Sequence, residues 1–489
     1  MSPTSSDPPA SASAEAELPA ARRVAATSQR LREQRARQRF ERAFWMLVAG
    51  LAAVSAVFLL LGSLQGPKLS SAVVDPARVV EQPGQQLRMF ANQPLGEVAA
   101  EQVTVTPAAE VSVSVQDDVL IVQFEQRLRF GTEYLVEVRD VPATSRDATA
   151  SFTHRFTTPG ASLLYLDRGE STDEVLRAPL DGAGRGEVVH AAPGIQHIAP
   201  VENVVVVARD APEGTSVLES VSAEGDVQRL RLPEGVRVDR LVAPPTGTLL
   251  GLVLTSAGPA AEGEALDGTL AVVDLAGEGI VDVVPGLDGA PIRVLDAEFL
   301  PDGRTLVAHA FDLSVLRIEL GDAPIALPIG QVPQMYALST DGTRLTGSDS
   351  FGGIVLDLAT AVESRLDPSL VDGELAFGGE AILTRTELRV QKVAVADVAT
   401  GDVRVLLVAD DGSGTSRVLL RTVDDRGSIG DFALSSNDQY VAVEVTPSVV
   451  DAQPDGRPVN GRATSVTTVV IDIASGAVVR TLDGFSPRW

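Results

Sequence analysis

Four histidines and no cysteine limit the metal and nucleophile chemistry open to this 489-residue chain. His190 and His197 lie seven residues apart around Pro193-Gly194, so their imidazoles are expected to come close at a hairpin end. No acidic third ligand stands beside them, and paired histidines on a hairpin are more often rim residues than metal ligands. His154 and His309 fall in strand-like segments and are expected to be structural. The histidines therefore predict no metal site.

Two acidic turns are the next candidates for chemistry. They have the sequences Asp410-Asp411-Gly412-Ser413-Gly414 and Asp424-Asp425-Arg426-Gly427. Neither has the D-x-D-x-D-G spacing that directs several oxygens at one calcium ion, so solvated turns are expected. The chain also lacks a G-x-S-x-G elbow, an H-E-x-x-H pair and a G-x-x-x-x-G-K loop. We therefore predict no catalytic residue, no cofactor and no metal.

An apolar stretch from Ala43 to Leu64, which has no ionisable side chain, determines where the rest of the chain lies relative to a membrane. As a helix of 22 residues it would reach about 33 Å, enough to cross the ~30 Å hydrocarbon core of a bilayer. Eight arginines and only two glutamates stand between residues 21 and 42, which predicts a cytoplasmic N-terminus. The alternative is a signal peptide cleaved near Ser70-Ser71-Ala72, but the apolar run is longer than signal sequences usually have. Both interpretations export the rest of the chain.

The residues before this span divide into two segments. Residues 1–20 are rich in Pro, Ser and Ala and are expected to be a disordered cytoplasmic tail. Residues 21–42 contain neither Gly nor Pro and predict an Arg-rich juxtamembrane helix. The chain as a whole carries a net charge of -26 at pH 7, and the first 42 residues are its basic part. Such an acidic exported surface repels nucleic acid, so no nucleic-acid partner is expected.

Residues 71–159 alternate between apolar and polar side chains with a period of two. The alternation is clearest in the segments 103–116, 119–124, 134–138 and 152–158, separated by turn residues. This pattern predicts an antiparallel β-sandwich of about seven short strands.

Several motifs in this region also resemble a known family. The run L-R-F-G-T-E-Y-L-V-E-V from Leu128 to Val138 and the closing Phe156-Thr157-Thr158-Pro159 are similar to the SbsA-like Ig-like domain of bacterial S-layer and surface proteins. The usual glycine-asparagine turn before the last strand is replaced by Ser145-Arg146-Asp147, which departs from the family pattern. The resemblance implies a spacer or adhesion module.

Residues 161–489 contain a repeated pattern of strands. Five segments pair a turn with two apolar strands, and each is followed by a further strand of the type x-V-x-D-L-x-x-G. The five segments begin at Asp239, Asp296, Met335, Gly373 and Gly430. A period of roughly 40–60 residues without helices is typical of β-propeller blades.

The ends of this region predict how the ring closes. The segment from Leu163 begins a blade that lacks its first strand, and residues 484–489 look like that missing strand. Pairing the two would remove two exposed sheet edges and give about seven blades, with six or eight as alternatives. The turns P-D-G-R and S-T-D-G-T-R are similar to those of TolB-type and WD-repeat-like bacterial propellers. The fold class expected for the exported region is therefore all-β.

These features predict a single-pass membrane protein that displays an extracytoplasmic propeller through an Ig-like spacer. The expected role is that of a binding or scaffold protein without enzyme activity. The expected partners are the lipid bilayer, through Ala43 to Leu64, and another envelope protein or ligand at the propeller rim. Two alternatives stay open. One is a propeller hydrolase or lyase, which needs acidic and histidine side chains along the central channel. The other is an envelope sensor, although residues 1–42 offer no signalling domain.

Overall fold

The structure is a computed structural model, and its description covers most of the chain. The described residues are 40–58, 66–144, 146–259, 265–321, 323–396, 401, 403–457 and 459–489. The predicted disordered tail, nearly all of the predicted juxtamembrane helix and the last six residues of the predicted span lie outside them.

One long helix, α1, extends from Phe40 to Phe58. Its apolar side chains are largely exposed, including Trp45 and Phe58. The helix is long and apolar enough to cross a membrane or to serve as a signal sequence. It begins three residues before the predicted span, at Phe40.

Seven strands follow and form two antiparallel sheets. The first sheet has the order β1-β2-β5-β4 and the second the order β3-β6-β7. The bounds are β1 Leu69–Val73, β2 Gln86–Ala91, β3 Val103–Thr106, β4 Val111–Gln116, β5 Val119–Phe124, β6 Glu133–Ala143 and β7 Arg146–Thr157, with a short helix α2 at Arg78–Glu81 and a 3-10 turn at Ala100–Gln102. Side chains from both sheets, such as Leu87 and Val136, share one hydrophobic core. We call residues 69–157 the two-sheet domain.

The rest of the chain forms a β-propeller. Seven four-stranded antiparallel sheets, called blades 1 to 7, follow one another along the described residues. Blade 1 has the strands β37 Phe485–Arg488, β8 Ser162–Arg168, β9 Asp173–Pro179 and β10 Glu187–Ala192; blade 2 has β11 Ile195–Val201, β12 Val204–Asp210, β13 Ser216–Ser222 and β14 Val227–Leu230; blade 3 has β15 Val236–Val242, β16 Leu249–Ser256, β17 Thr269–Asp274 and β18 Val281–Val283. Blade 4 has β19 Val294–Phe299, β20 Thr305–Ala310, β21 Ser314–Glu319 and β22 Ile325–Gln331; blade 5 has β23 Gln334–Leu338, β24 Arg344–Asp349, β25 Gly352–Asp357 and β26 Glu363–Arg365. Blade 6 has β29 Phe377–Leu383, β30 Arg389–Ala396, β31 Val403–Asp410 and β32 Arg417–Arg421; blade 7 has β33 Ser428–Leu434, β34 Tyr440–Thr446, β35 Thr467–Asp472 and β36 Val478–Asp483. A small hairpin, β27 Leu370–Val371 and β28 Glu374–Leu375, precedes blade 6, and 3-10 turns lie at Pro212–Gly214 and Val423–Asp425.

The ring closes through strand β37, which pairs with β8 and completes blade 1. Phe485 on this strand is 1% exposed and packs with Leu166 and Ile195. The guanidinium of Arg168 stacks over the Phe485 ring at 4.8 Å. The pairing expected from the sequence is therefore present, and the burial of Phe485 explains what holds it.

One blade is assembled differently from the sequence expectation. The segment that begins at Gly373 predicts a turn between two apolar strands, and Gly378-Gly379 has the composition of that turn. Both glycines lie within β29 instead, and the turn follows at residues 384–388. The segment from Val393, expected as a third strand, belongs to the second strand, β30. The pair of glycines accommodates an irregularity inside β29 rather than a chain reversal.

Every blade has such an irregularity in its first strand. The pairing of the first with the second strand shifts once in each of the seven blades. The pairing of the second with the third strand shows no shift in any of them. A residue in a β-bulge leaves the regular ladder, so its side chain takes a new direction. The first strands of most neighbouring blades also contact each other, which places the bulges around the central channel.

The two-sheet domain packs against blade 7 through the loop at residues 127–130. The backbone N–H of Phe130 donates to Gln439 Oε1 at 2.7 Å, and Asn437 Nδ2 donates to the Leu128 carbonyl at 2.9 Å. The ring of Phe130 stacks on Tyr440 at 6.5 Å, and Tyr440 stacks on Trp489 at 6.0 Å. These contacts lie at the end of the propeller where β33 ends and β34 begins.

Replacing Gln439 by Ala should lower the free energy of unfolding by about 1–2 kcal/mol, because the amide of Phe130 loses its acceptor. Urea unfolding of the purified full-length protein would measure this change. Gln228→Ala on the exposed outer strand β14 is the matched control and should change stability by less than about 0.5 kcal/mol. Equal effects of the two substitutions would contradict the role assigned to Gln439.

Candidate functional site

The candidate site is the central channel, where charged side chains from different blades meet. Arg488 of blade 1 lies within electrostatic range of Arg240 of blade 3 and of Asp431 and Glu444 of blade 7. Glu380 of blade 6 interacts in turn with Asp431 and with Asp296 of blade 4. Groups from blades on different sides of the ring approach one another only near its centre. Glu380 and Asp431 lie within the irregularities of their first strands, and Arg240, Asp296 and Arg488 are the first paired residues after theirs.

The two sides of this channel differ in charge. Blades 1, 2 and 3 supply Arg488, His197 and Arg240, together with Asp239, whose carboxylate pairs with Arg237. Blades 4, 6 and 7 supply carboxylates at Asp296, Glu298, Glu380, Asp431 and Glu444. We call these the cationic side and the acidic side of the channel. Blade 5 places the neutral Tyr336 at its bulge, with its hydroxyl bonded to Ser348 Oγ at 2.9 Å.

Most of the carboxylates are held by a basic partner. Asp296 pairs with Arg240, and Glu380 lies 3.5 Å from Lys392 Nζ. The exception among the five acidic side chains named above is Glu298, which accepts a hydrogen bond from the Leu338 backbone N–H at 3.0 Å and has no ion pair with a described residue.

Burial raises the pKa of Glu298 to about 8, and the neighbouring Asp296 carboxylate adds to the rise. The Leu338 N–H and the Arg240 guanidinium act in the opposite direction but do not compensate. Glu298 thus holds its proton at neutral pH and can act as a proton donor.

His197 shows the opposite perturbation. Burial, followed by the positive charges of Arg488 and Arg240, lowers its pKa to about 4. Its Nε2 atom is buried and has no hydrogen-bond partner among the described residues. At neutral pH this imidazole is uncharged and can accept or donate one hydrogen bond.

A cleft of about 720 Å³ lies beside the channel under a long loop of blade 7. The blade 7 loop spans residues 447–466, of which residue 458 lies outside the described part, and it joins β34 to β35. Asp431, Glu444, Arg457 and Arg462 line the cleft. Arg462 donates to Glu444 at 3.0 Å and to Asp431 at 3.1 Å, so the loop neutralises two carboxylates of the acidic side.

The blade 7 loop is bound to blades 1 and 2. Asp455 pairs with Arg168, and both side chains are at most 10% exposed. Arg457 lies 3.2 Å from the fully buried Asp173. Asn460 Nδ2 donates to the carbonyl of Gln196 at 2.6 Å. The loop therefore crosses the seam at which the ring closes and covers one side of the channel mouth.

Asp455→Ala should destabilise the protein by about 3 kcal/mol, because it leaves the buried guanidinium of Arg168 without its carboxylate. Thermal unfolding followed by circular dichroism would show the loss, and proteolysis of the loop should accelerate. Asp282→Ala on the exposed outer strand β18 is the control and should leave both unchanged. If the blade 7 loop of Asp455→Ala is cleaved at the same rate as that of the wild type, the Asp455–Arg168 ion pair does not hold the loop.

The residues singled out from the sequence are scattered. His197 lies on the first strand of blade 2, whereas His190 lies on the outer strand of blade 1. His309 is 3% exposed and bonded to the Val332 carbonyl at 2.7 Å, and His154 stacks on Phe156 at 6.2 Å. Within the described residues no three His, Asp or Glu side chains are grouped as metal ligands. The absence of a metal stays a prediction.

The acidic turns are also explained by local contacts. Asp410 pairs with Arg389 and accepts from Ser369 Oγ at 2.7 Å. Asp425 pairs with Arg421 four residues earlier. Neither turn directs several oxygens to one point.

The sequence prediction did not identify the channel residues. A signal was present, because Asp239, Asp296, Glu380 and Asp431 occur at the third or fourth residue of the first strands. In a two-layer sheet such residues are read as solvent-facing, whereas a bulge here brings them to the channel.

Comparison with known proteins identifies no family for this chain. No protein-family model matches the chain, and no curated protein matches it in sequence. Three similar solved structures are the dihydro-heme d1 dehydrogenase NirN, a TolB-like protein from Agrobacterium tumefaciens, and an oligogalacturonate lyase in complex with manganese. NirN is 14% identical with a TM-score of 0.38, covering 67% of this chain and 74% of its own. The TolB-like protein is 18% identical with a TM-score of 0.33, covering 53% and 86%. The lyase is 12% identical with a TM-score of 0.34, covering 60% and 75%.

The prediction that the chain is not an enzyme is corrected by this comparison. Two of the three similar structures are enzymes, a dehydrogenase and a lyase, and this is the finding that stands against the prediction. The acidic and histidine side chains that the hydrolase or lyase alternative requires are also present along the channel. At these identities the similarity assigns no reaction to this chain.

Proposed function

We propose that the protein is a membrane-anchored enzyme whose propeller channel hydrolyses or eliminates a bond in a small polar molecule outside the cytoplasmic membrane. One observation carries the proposal: the channel holds Glu298, a carboxyl group without an ion pair among the described residues, together with His197, whose buried Nε2 has no hydrogen-bond partner there. Burial raises the pKa of Glu298 and lowers the pKa of His197. Environments that push two titratable groups apart in this way are typical of acid–base catalysis.

The roles follow from the protonation states. Glu298 would give its proton to the leaving group, because it is protonated up to a pH of about 8. His197 would take a proton from water or from a carbon atom of the substrate, because its Nε2 is free. Arg240, held by Asp296, would keep the local charge balanced as the protons move.

The remaining parts of the chain would place this channel. We infer that α1 anchors the protein in the lipid bilayer with its N-terminus in the cytoplasm, supported by the arginines before it. We also infer that the two-sheet domain is an Ig-like spacer, supported by its seven strands in two sheets around one core. The partner expected at the propeller rim is, in this proposal, the ligand that enters the channel mouth.

The test is an activity screen of the full-length protein in detergent micelles. Chromogenic esters and amides report hydrolysis, and uronate polymers report elimination through the ultraviolet absorbance of the unsaturated product. Where turnover is found, Glu298→Gln should lower kcat by about 100- to 1000-fold, since general acid catalysis contributes at that level. Activity should also fall above pH 8, where Glu298 loses its proton.

The matched control is Glu278→Gln, which removes an exposed carboxylate from a turn of blade 3. It should leave kcat within twofold of the wild type. Absence of turnover in all of these substrate classes, or turnover that Glu298→Gln does not reduce, would overturn the proposed function.

A further inference from the structure

Arg488 is the one guanidinium of the channel group that lacks a carboxylate partner. Arg240 pairs with Asp296, and Arg462 pairs with Glu444 and Asp431. Arg488 has no carboxylate within ion-pair distance among the described residues. Its hydrogen bond there is a long one, 3.4 Å from Nη1 to the carbonyl of Pro487.

The position of Arg488 makes this lack of a partner costly. It lies on β37, the first strand of blade 1, which contacts the first strands of blades 2 and 7. Its side chain is half-buried, and burial lowers its pKa. A guanidinium removed from water is normally compensated by an anion with good hydrogen-bond geometry.

A second uncompensated group stands on the adjacent strand. His197 is on β11, and its Nε2 is buried without a hydrogen-bond partner in the described part of the chain. Of the charged groups that lower the pKa of His197, Arg488 contributes most. Two unsatisfied nitrogen groups therefore face the same part of the cationic side.

The nearby carboxylates have other partners. Asp239, which acts on His197, accepts hydrogen bonds from Arg237 at 2.6 Å and from Thr255 at 2.5 Å. Glu444 and Asp431 act on Arg488 at longer range, but both are bonded to Arg462, at 3.0 and 3.1 Å. Glu444 also accepts the backbone N–H of Ser486 at 2.8 Å. Their charge balances the channel as a whole and leaves the hydrogen-bonding positions of Arg488 unoccupied.

The geometry points to an anion-binding subsite formed by Arg488 and His197, which receives a carboxylate or phosphate group of the substrate. The guanidinium offers two parallel N–H groups to such an anion, which would bring the rest of the substrate beside the free Nε2 of His197. This inference rests on the proposed function and narrows its substrate to a molecule with an acidic group at one end. The reacting bond would then lie between His197 and Glu298, the two groups that exchange protons with it in the proposed function.

The inference can be tested without knowing the substrate. The full-length protein in detergent micelles is titrated with inorganic phosphate and, separately, with acetate, and binding is followed by the unfolding temperature and by calorimetry. The variants are Arg488→Gln, Arg488→Lys and His197→Phe. The control is Arg229→Gln, which removes an exposed guanidinium with no ion pair from β14, within the described chain. General salt effects on stability act equally on all variants, so specific binding is measured as the difference in anion response between each variant and the control.

We expect at least one of the two anions to bind the wild type and the control alike. Arg488→Gln should weaken that binding by about tenfold or more, because a charge-assisted hydrogen bond is lost, and His197→Phe should weaken it less. Arg488→Lys should retain part of the affinity, which shows that a folded ring is present even if Arg488→Gln is destabilised. A response to phosphate alone indicates a phosphorylated substrate, and a response to acetate alone indicates a carboxylic acid.

Equal anion binding by Arg488→Lys, His197→Phe and the control would overturn the subsite, as would failure of both anions to bind the wild type. These outcomes are separate from those of the activity screen. Anion binding without turnover would support the subsite and contradict the proposed reaction. Turnover that Glu298→Gln abolishes, without anion binding, would support the reaction and contradict the subsite.

Discussion

Deletion of residues 484–489 should open the propeller ring and lower the unfolding temperature of the propeller by well over 10 °C. The deletion removes strand β37, so β8 becomes an unpaired sheet edge in the middle of the ring. It also removes the fully buried Phe485, a loss worth about 3–5 kcal/mol even as a single truncation to Ala. Thermal unfolding followed by far-ultraviolet circular dichroism would measure the change.

Single substitutions separate the contributions of β37. Phe485→Ala should give an intermediate loss, because the backbone pairing with β8 remains while the ring and its stacking with Arg168 and Arg462 are removed. Val478→Ala, at a 56% exposed position of β36, is the control and should be close to neutral. A deletion variant that unfolds at the wild-type temperature would show that blade 1 does not need strand β37.

Replacing Glu298 by Gln should make the protein more stable than the wild type at pH 9, by on the order of 3 kcal/mol. The folded-state pKa of Glu298 is about 8, above the value of 4.5 expected in the unfolded chain. Between these values the folded state holds a proton that the unfolded state releases. The stabilisation is therefore complete below about pH 4.5 and is lost as the pH rises through 8, and an uncharged amide does not titrate. Urea unfolding at pH 5, 7 and 9 would measure it.

The difference in stability between the wild type and Glu298→Gln reports the titration of Glu298 alone, without that of His197. The folded-state pKa of His197 is about 4, below its usual 6.5, so His197 lowers stability as the pH falls from 6.5 towards 4. This contribution is common to the wild type and to Glu298→Gln and cancels in their difference. Glu278→Gln should follow the wild-type curve at all three pH values. Parallel curves for wild type and Glu298→Gln would contradict the raised pKa.

The architecture of the propeller was largely predictable from the sequence because its signals are local. Asp-Gly and Thr-Gly turns between alternating strands mark hairpins, and each blade consists of hairpins. The incomplete unit at Leu163 and the unmatched strand at Phe485 were enough to predict the closure. The sixth blade was misassigned because Gly378-Gly379 has the composition of a turn while lying in a strand.

The candidate site was not predictable in the same way. Whether Asp296 or Asp431 faces solvent or the channel depends on a one- or two-residue irregularity in strand pairing, and alternation along the sequence does not reveal it. The pKa values of Glu298 and His197 depend on residues from several strands. Glu298, for example, owes its raised pKa first to burial and then to the Asp296 carboxylate on its own strand. The free Nε2 of His197 likewise becomes apparent only when all its neighbours are in place.

In each of the seven first strands, the residues of the regular ladder and the residues at the bulge have different roles. The regular part of the ladder keeps the blade together, whereas a residue within the irregularity or directly after it, such as Tyr336 or Arg240, lies toward the channel. Exchange at these seven places can alter which molecules the propeller accepts with little effect on folding. The scaffold is therefore well suited to divergence, in nature or by engineering, through a handful of substitutions such as one at Tyr336.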